Sequence, residues 1–310
     1  MVSVLEQTIE EYPSAPFDWL ALSLNPAVSF QFIDSHRSLP WNIPAVSRNP
    51  GVTEATVRSN LEFPWSYRDL CANPNISFDF MLEYAIKPTG RVDLNWNALS
   101  QNPMIQMDTM DRYHVYPWND LYISANPNIT SNYILNVGKK RVWAMARVSA
   151  NPGITERDIY KNVLTWKHIN LSSNPNLPAK YLNDNQQYSW NMHSASANSN
   201  ITITDIDMFH SVPWDYSGLS LNPNITMDHV LSTPDKPWTL EHLLINPAIT
   251  LEAVQCNSMY FHTCDIPTYL SSNPNITLDW ITKNATSIHW KRLSRNHFRA
   301  LDYSDDTIDL

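Results

Sequence analysis

Apolar residues recur along this chain at fixed distances from a repeated asparagine. Counted from that asparagine, position −3 is apolar in every unit, and positions +3 and +8 hold Val, Ile, Leu or Met in eleven of twelve. A fixed period of this length indicates a tandem array of small structural units. We number the units 1 to 12 by their asparagines, which are spaced 23 to 29 residues apart: Asn25, Asn49, Asn73, Asn102, Asn126, Asn151, Asn174, Asn198, Asn222, Asn246, Asn273 and Asn296.

The polar positions of each unit predict where its helices begin and end. Position −7 often holds a residue that caps helix N-termini, such as Asn42 or Asp215, and positions −6 and −3 then share one helical face. Ten of the twelve asparagines precede Pro, which ends a helix. A Ser or Thr at +4, such as Thr226, starts a second helix. The pattern predicts an all-α solenoid of about twelve two-helix repeats of ~24 residues.

Tryptophan follows the same pattern, which indicates a packing role. Eleven of the twelve tryptophans lie at −8 or −6, and eight of them at −8. We assign two sets of residues to the repeat core, the eight tryptophans at −8 and the Asn-Pro-x-Ile-Thr residues of unit 9. These are Trp41, Trp65, Trp118, Trp143, Trp166, Trp190, Trp214, Trp238, Asn222, Pro223, Ile225 and Thr226.

A leucine-rich-repeat-like α/β solenoid is the alternative fold, because its units have a similar length and also contain a diagnostic asparagine. That fold needs an apolar residue at −5. Here −5 holds Arg68, His193 and Glu241 among others, so the helical array is favoured.

Composition and charge narrow the class of protein. The chain has 310 residues, of which 43% are hydrophobic and 16% charged, so it can form a core. A net charge of −9 disfavours nucleic-acid binding. The start has no secretory signal, no apolar run is long enough to span a membrane, and three cysteines suit a reducing compartment. We therefore expect an intracellular protein that is not secreted, with an N-terminal segment (1–15), one continuous repeat domain (16–299) and an acidic tail (300–310).

The repeated motif resembles a known group of viral proteins. The stretches "LSLNPNIT", "ISANPNIT" and "LSSNPNIT", several of them preceded by Pro-Trp, are similar to the tandem NPNIT-type repeats of giant and large DNA viruses of amoebae. The resemblance covers about residues 16–299. It implies a viral repeat scaffold, located in the host cytoplasm or the virion, without an assigned chemistry.

Few residues suggest chemistry. Cys256, His262 and Cys264 match no standard zinc spacing, so we interpret the two thiols as buried side chains that fill the place of a missing Trp. No cofactor or metal is expected. The candidate interaction residues form a basic cluster: Lys139, Lys140, Arg141 and Arg147. Residues 181–282 hold ten acidic residues and one basic residue, and two stretches, 85–95 and 257–267, lengthen their units.

We therefore predict a non-enzymatic repeat scaffold that mediates protein–protein interaction. Its partner is an unidentified protein. The alternative functions are a self-assembling or virion-associated structural protein and, less favoured, an enzyme with a site in an irregular repeat.

Overall fold

A computed structural model of the protein describes residues 2–86, 94–136 and 141–298. Within these residues there are 24 α-helices, one π-helix and no strand, which confirms the all-α prediction. The α/β alternative is wrong for the described part of the chain, because it requires a strand in each unit.

Each unit begins with a short first helix that ends close to the repeated asparagine. The first helices are Trp19–Leu24, Ile43–Arg48, Tyr67–Leu70, Trp96–Gln101, Asp120–Ile123, Met145–Ser149, His168–Leu171, Met192–Ser196, Tyr216–Leu219, Leu240–Ile245, Ile266–Leu270 and Trp290–Leu293.

A second helix follows the asparagine in units 1 to 11. These helices are Phe30–Ser35, Glu54–Ser59, Phe78–Met81, Met107–Arg112, Ser131–Asn136, Glu156–Tyr160, Ala179–Asp184, Ile203–Met208, Met227–Ser232, Leu251–Cys256 and Leu278–Lys283. In unit 3 the π-helix Leu82–Ile86 continues the second helix. One further helix, Val4–Glu11, precedes unit 1.

The predicted caps occupy the helix N-termini. Asp215 at −7 precedes the first helix of unit 9, and its carboxylate accepts a hydrogen bond from the Gly218 N–H at 2.6 Å. Thr277 at +4 caps the second helix of unit 11 through the Trp280 N–H at 3.2 Å. Because helices of four to eight residues are too short to be stable alone, packing between units must stabilise them.

The repeated asparagines connect neighbouring units, and all twelve are buried. The Asn222 side-chain amide donates to the carbonyls of Ser196 (2.9 Å), Asn198 (3.0 Å) and Ile201 (3.0 Å) in unit 8. Its Oδ1 atom accepts the Asn224 N–H at 2.9 Å, so the buried amide is fully satisfied. We call the series of these contacts the asparagine ladder.

The serine at −2 makes a second repeated link. Its hydroxyl accepts the backbone N–H of the −7 residue in the next unit, as between Ser196 and Asp215 at 2.9 Å. In several units it also donates to the −6 carbonyl of its own helix, as Ser220 does to Tyr216. The ten −2 serines all make the link to the next unit.

These links also join unit 12 to unit 1. The Asn25 amide donates to the carbonyls of Ser294 (3.0 Å) and Asn296 (2.8 Å). The Asp18 N–H donates to the Ser294 hydroxyl at 3.0 Å. The asparagine contacts join every other pair of neighbours in the same way, and the serine contacts join nine of the other eleven pairs, so the contacts form a closed cycle.

The N-terminal helix Val4–Glu11 takes the place of a second helix in unit 12. On one side its Glu6 carboxylate accepts hydrogen bonds from the Ser29 N–H (2.8 Å) and hydroxyl (2.7 Å) of unit 1. On the other side it packs against Leu278–Lys283 of unit 11. Unit 12 is therefore composed of both ends of the chain, and residues 4–11 belong to the repeat array.

The −8 and −6 aromatic residues form a third series of contacts. In five junctions the −6 ring of one unit meets the −8 ring of the next edge to face, with centroids 5.0 to 5.4 Å apart: Trp19–Trp41, Trp96–Trp118, His168–Trp190, Tyr216–Trp238 and Trp290–Phe17. The last of these pairs again joins unit 12 to unit 1. Phe17, at −8 of unit 1, is 6% exposed and occupies the usual Trp position.

The residues assigned to the repeat core differ in their burial. Trp65, Trp166 and Ile225 are buried, whereas the other six −8 tryptophans are partly exposed and pack on the core. Asn222 is buried and Thr226 caps its helix. Pro223 is exposed, so its assignment to the core is wrong; its ring only needs to keep the backbone out of the helix.

Candidate functional site: a groove between units 8 and 9

The candidate site lies at one of two places where the apolar core is divided, the other being the junction of units 12 and 1. One cluster of buried side chains runs from the N-terminal helix to Val212, and a second runs from Ile225 to Leu293. The second helix of unit 8, Ile203–Met208, lies at the first of these divisions and has no buried residue, although its Ile203 and Ile206 pack on the second cluster. Its Ile206 stands at +8 and is partly exposed, whereas the +8 residues of the other ten second helices are at most 6% exposed.

A groove of about 540 Å³ opens at this position, and we call it the unit 8/9 groove. It lies between the second helices of units 8 and 9. It is lined by Ile203, Ile206, Asp207, His210, Val212, Trp214, Tyr216, Leu219, His229, Ser232, Thr233, Lys236 and Trp238. Its volume falls within the range of roughly 300–1,000 Å³ that is usual for ligand sites.

The close approach of the first helices explains the open groove. Gly218 lies inside the first helix of unit 9, and a Cβ there would collide with the backbone carbonyl oxygen of His193 in unit 8. A glycine inside a helix costs about 1 kcal/mol relative to alanine, so the close approach accounts for its presence. At −3 of unit 8 the small Ala195 replaces the larger Leu, Ile or Val of the other units. The two first helices can therefore pack tightly while their second helices leave a gap.

Part of the groove wall is formed by two indole rings whose N–H groups are already bonded. The Trp214 indole N–H donates to the Phe209 carbonyl at 3.2 Å, and the Trp238 indole N–H donates to Thr233 at 3.1 Å. Tyr216 meets Trp238 edge to face. The indole rings can therefore offer apolar surface to an occupant without leaving their N–H groups unpaired.

The hydroxyls of the groove are not arranged as nucleophiles. Ser232 and Thr233 both donate to the backbone carbonyl of His229, each at 2.9 Å. His229 accepts the Thr226 backbone N–H at Nδ1, at 3.1 Å, which places the proton of a neutral ring on Nε2. Nucleophilic catalysis needs a hydroxyl bonded to a base, and these hydroxyls bond to a carbonyl instead.

A polar cluster beside the groove joins units 8, 9 and 10. His193 Nδ1 lies 3.2 Å from Asp215, and the Gly218 N–H holds the pKa of that carboxyl below its usual value, with His193 adding to the effect. His242 Nδ1 lies 3.0 Å from the Ser217 carbonyl oxygen and 3.1 Å from its hydroxyl. Because a carbonyl only accepts, Nδ1 must carry the proton, and it cannot take one from Ser217. The cluster therefore links units and does not form a Ser–His nucleophile pair.

The two described arginines of the predicted basic cluster are not free cations. Lys139 and Lys140 lie outside the described residues. Arg141 pairs with Asp120 at 2.9 Å and Asp111 at 3.7 Å. Burial opposes its charge, but the hydrogen bond to Asp120 and the contact with Tyr133 raise its pKa. Arg147 lies over the Tyr122 ring, 4.6 Å from its centroid. Both arginines are held by neighbouring side chains.

The cysteine and histidine stretch does not pack as interpreted from the sequence. Cys256 and His262 are exposed, so the Cys256 thiol does not fill the place of a missing Trp, whereas Cys264 is partly exposed and packs against the core. Phe261, which is fully buried, packs into the core there instead. Among the described residues, no three His, Cys, Asp or Glu side chains are placed to bind a metal ion.

The third cysteine is a structural one. Cys71 replaces the −2 serine of unit 3 and donates to the Tyr67 carbonyl at 3.3 Å, as the serines do. Burial raises the pKa of its thiol to about 12, so it is unreactive as a nucleophile.

No protein-family model, curated protein or solved structure matches the chain. In the part of the chain that is described, no helix is long and apolar enough to cross a membrane.

Proposed function

We propose that the protein is a non-enzymatic scaffold, a closed α-solenoid of twelve units that binds a segment of another protein in the unit 8/9 groove. The observation that carries this proposal is the partly exposed Ile206, which stands at a position that is buried in the other second helices. A partner side chain placed over Ile206 would complete the packing that neighbouring units provide elsewhere.

The repeated links favour a rigid frame around this groove. Asparagine, serine and aromatic contacts join successive units and return from unit 12 to unit 1. A frame whose register is fixed on both sides loses little conformational entropy when a partner binds.

The groove is a better candidate than the basic cluster. Arg141 is only 19% exposed and is paired with two carboxylates, so a partner would have to displace them. Ile206 in the groove is partly exposed, so a partner can reach its apolar surface without displacing an ion pair.

Self-assembly remains the second proposal, but not by stacking of chain ends. The faces that an open rod would use for head-to-tail contacts are those of units 1 and 12, and these bind each other. Assembly of several copies would need another surface.

Affinity capture with groove variants tests the proposed role. The viral origin implied by the resemblance is a prediction, so infected amoebae are the cells of choice. We expect a stoichiometric partner that is captured by the unaltered protein and by Ile169→Gln, a change at an exposed residue (57%) of unit 7, and lost with Ile206→Gln. Equal capture by both variants would contradict the role of the groove, and recovery of the chain itself or of capsid proteins would favour the structural alternative.

A further inference from the structure

We infer that the occupant of the unit 8/9 groove is a short basic segment of a partner protein that carries one bulky apolar side chain. This inference rests on the proposed function and specifies the chemistry of the partner.

The apolar side chain follows from what lines the groove. Ile203 and Ile206 from unit 8 and the rings of Trp214, Tyr216 and Trp238 from unit 9 and its junction with unit 10 contribute apolar surface. The two indole N–H groups bond to backbone carbonyls, so an occupant does not have to supply hydrogen-bond acceptors for them. An apolar anchor in a pocket of this kind is the usual source of affinity at a protein interface.

The positive charge that we infer for the partner segment follows from the acidic sequence around the groove. Residues 198–246 contain six acidic residues and one lysine, Lys236. Asp207 and Lys236 both lie in the groove wall, and Lys236 is 3.9 Å from the carboxylate of Asp235, which offsets its charge. The groove also lies within residues 181–282, where ten acidic residues face a single base. Such a surface attracts a cationic segment and repels an acidic one.

The short length follows from the helices that border the groove. Ile203–Met208 and Met227–Ser232 have six residues each. At 1.5 Å per residue each helix is about 9 Å long. An occupant that lies along them contributes roughly one or two helical turns, enough for one anchor and the basic residues that flank it.

Three labelled peptides test this chemistry by fluorescence anisotropy with the full-length protein. They are a twelve-residue amphipathic Lys/Leu peptide, its Glu/Leu counterpart and a Lys/Ser counterpart without apolar residues. We expect the Lys/Leu peptide to bind at least about ten-fold more tightly than either of the others.

Variants then place the binding in the groove. Ile206→Gln should weaken the Lys/Leu peptide about ten-fold and Asp207→Asn about three-fold, with a smaller dependence on salt for the second variant. Ile169→Gln should leave affinity unchanged. Circular dichroism and the urea midpoint of each variant show whether it is folded, and Trp238→Phe serves as a second groove variant if Ile206→Gln is not.

Two results would overturn the inference. One is equal binding of the Lys/Leu and Lys/Ser peptides, which would indicate attraction to acidic surface without an anchor. The other is Lys/Leu affinity that does not change with the groove variants. A further result would separate this inference from the proposed function. If capture of a partner depends on Ile206 but the partner segment that can be cross-linked to the groove is acidic or neutral, the inferred basic segment is wrong while the proposed function stands.

Discussion

The junction between units 12 and 1 and the junction between units 8 and 9 differ in chain continuity and in packing. At the first, the chain is interrupted, yet the side chains pack closely: Leu5 and Ile9 of the N-terminal helix are at most 1% exposed. At the second, the chain is continuous, yet the packing is incomplete and Ile206 is partly exposed. The asparagine and serine links are present at both.

The difference between the two junctions shows that register and packing are separate properties of the repeat. The asparagine ladder fixes the register between neighbouring first helices, and the +8 side chains pack the second helices together. Because the two tasks use different residues, the second helices can open a groove at units 8 and 9 without breaking the cycle of contacts.

The largest expected effect is the loss of stability when an apolar side chain is shortened, and this loss should differ between the junctions. Ile9→Ala should lower the free energy of unfolding by about 2–5 kcal/mol, because Ile9 is buried and a cavity would remain. The same change at Ile206 should cost less than about 1.5 kcal/mol, since this side chain already meets solvent. Urea unfolding of both variants measures the difference, and equal losses would contradict the closer packing of the N-terminal helix at the closing junction.

The asparagine ladder should contribute equally at both junctions. Asn25→Ala and Asn222→Ala each remove a buried amide that donates to carbonyls of the preceding unit. Each should cost about 2–3 kcal/mol, because the carbonyls lose their partner. Urea midpoints compare the two, and a loss at Asn222 without a loss at Asn25 would mean that the chain ends do not meet.

The serine links should show a smaller and again equal effect. Ser294→Ala and Ser196→Ala leave the N–H groups of Asp18 and Asp215 without their hydroxyl acceptors. Each should cost about 1–2 kcal/mol by thermal or urea unfolding. Ser→Cys at the same positions is the matched control, since Cys71 occupies this position in unit 3 and its sulfur accepts a hydrogen bond from the Asn95 backbone in the next unit. A serine-to-alanine variant at either junction that is as stable as the original would show that this link contributes nothing there.

The smallest expected effect is a pH dependence of stability. It arises at the junction of units 7 and 8, next to the groove, and is not expected at the closing junction. His168 stacks on Tyr188 at 3.8 Å, and burial lowers its pKa. Within the described residues its Nε2 atom is buried without a hydrogen-bond partner. The unfolded chain therefore binds this proton at a higher pH than the folded protein, and stability falls as the pH drops below about 6.5.

His168→Phe keeps the ring and removes this titration. Between pH 7 and pH 5 its urea midpoint should fall less than that of the unaltered protein. The equivalent ring pair at the closing junction, Trp290 with Phe17, does not titrate and should confer no such dependence. The same decrease in both proteins would show that His168 is not the group responsible.

Much of the helical pattern could be predicted from the sequence because it depends on local signals. Caps such as Asp215 and Thr277, the Asn-Pro step and the apolar −3, +3 and +8 positions act within one unit. The ladder role of asparagine was missed because its partners belong to the preceding unit, at a distance that the spacing alone does not specify.

Closure could not be predicted because it depends on the sum of small rotations over twelve units. One signal was present: a solenoid with free ends needs terminal units with a polar outer face. Unit 1 instead has Phe17 at the Trp position and Trp19 at −6, both of which pack on apolar neighbours. The groove was missed for a related reason, since Ile206 follows the pattern and only Ala195 and Gly218 depart from it.

The distance between units 1 and 12 tests the closed cycle most directly. Spin labels at Leu20 and Lys291, both exposed at −5, can be measured by double electron–electron resonance with Cys71, Cys256 and Cys264 replaced by Ser. Labels at Leu121 and Ala146 give the distance for adjacent units 5 and 6. Closure predicts that the two distance distributions coincide, and that Leu20 and Ile169, six units apart, are much farther from each other. A Leu20–Lys291 distance longer than the Leu20–Ile169 distance would contradict closure and indicate an open rod.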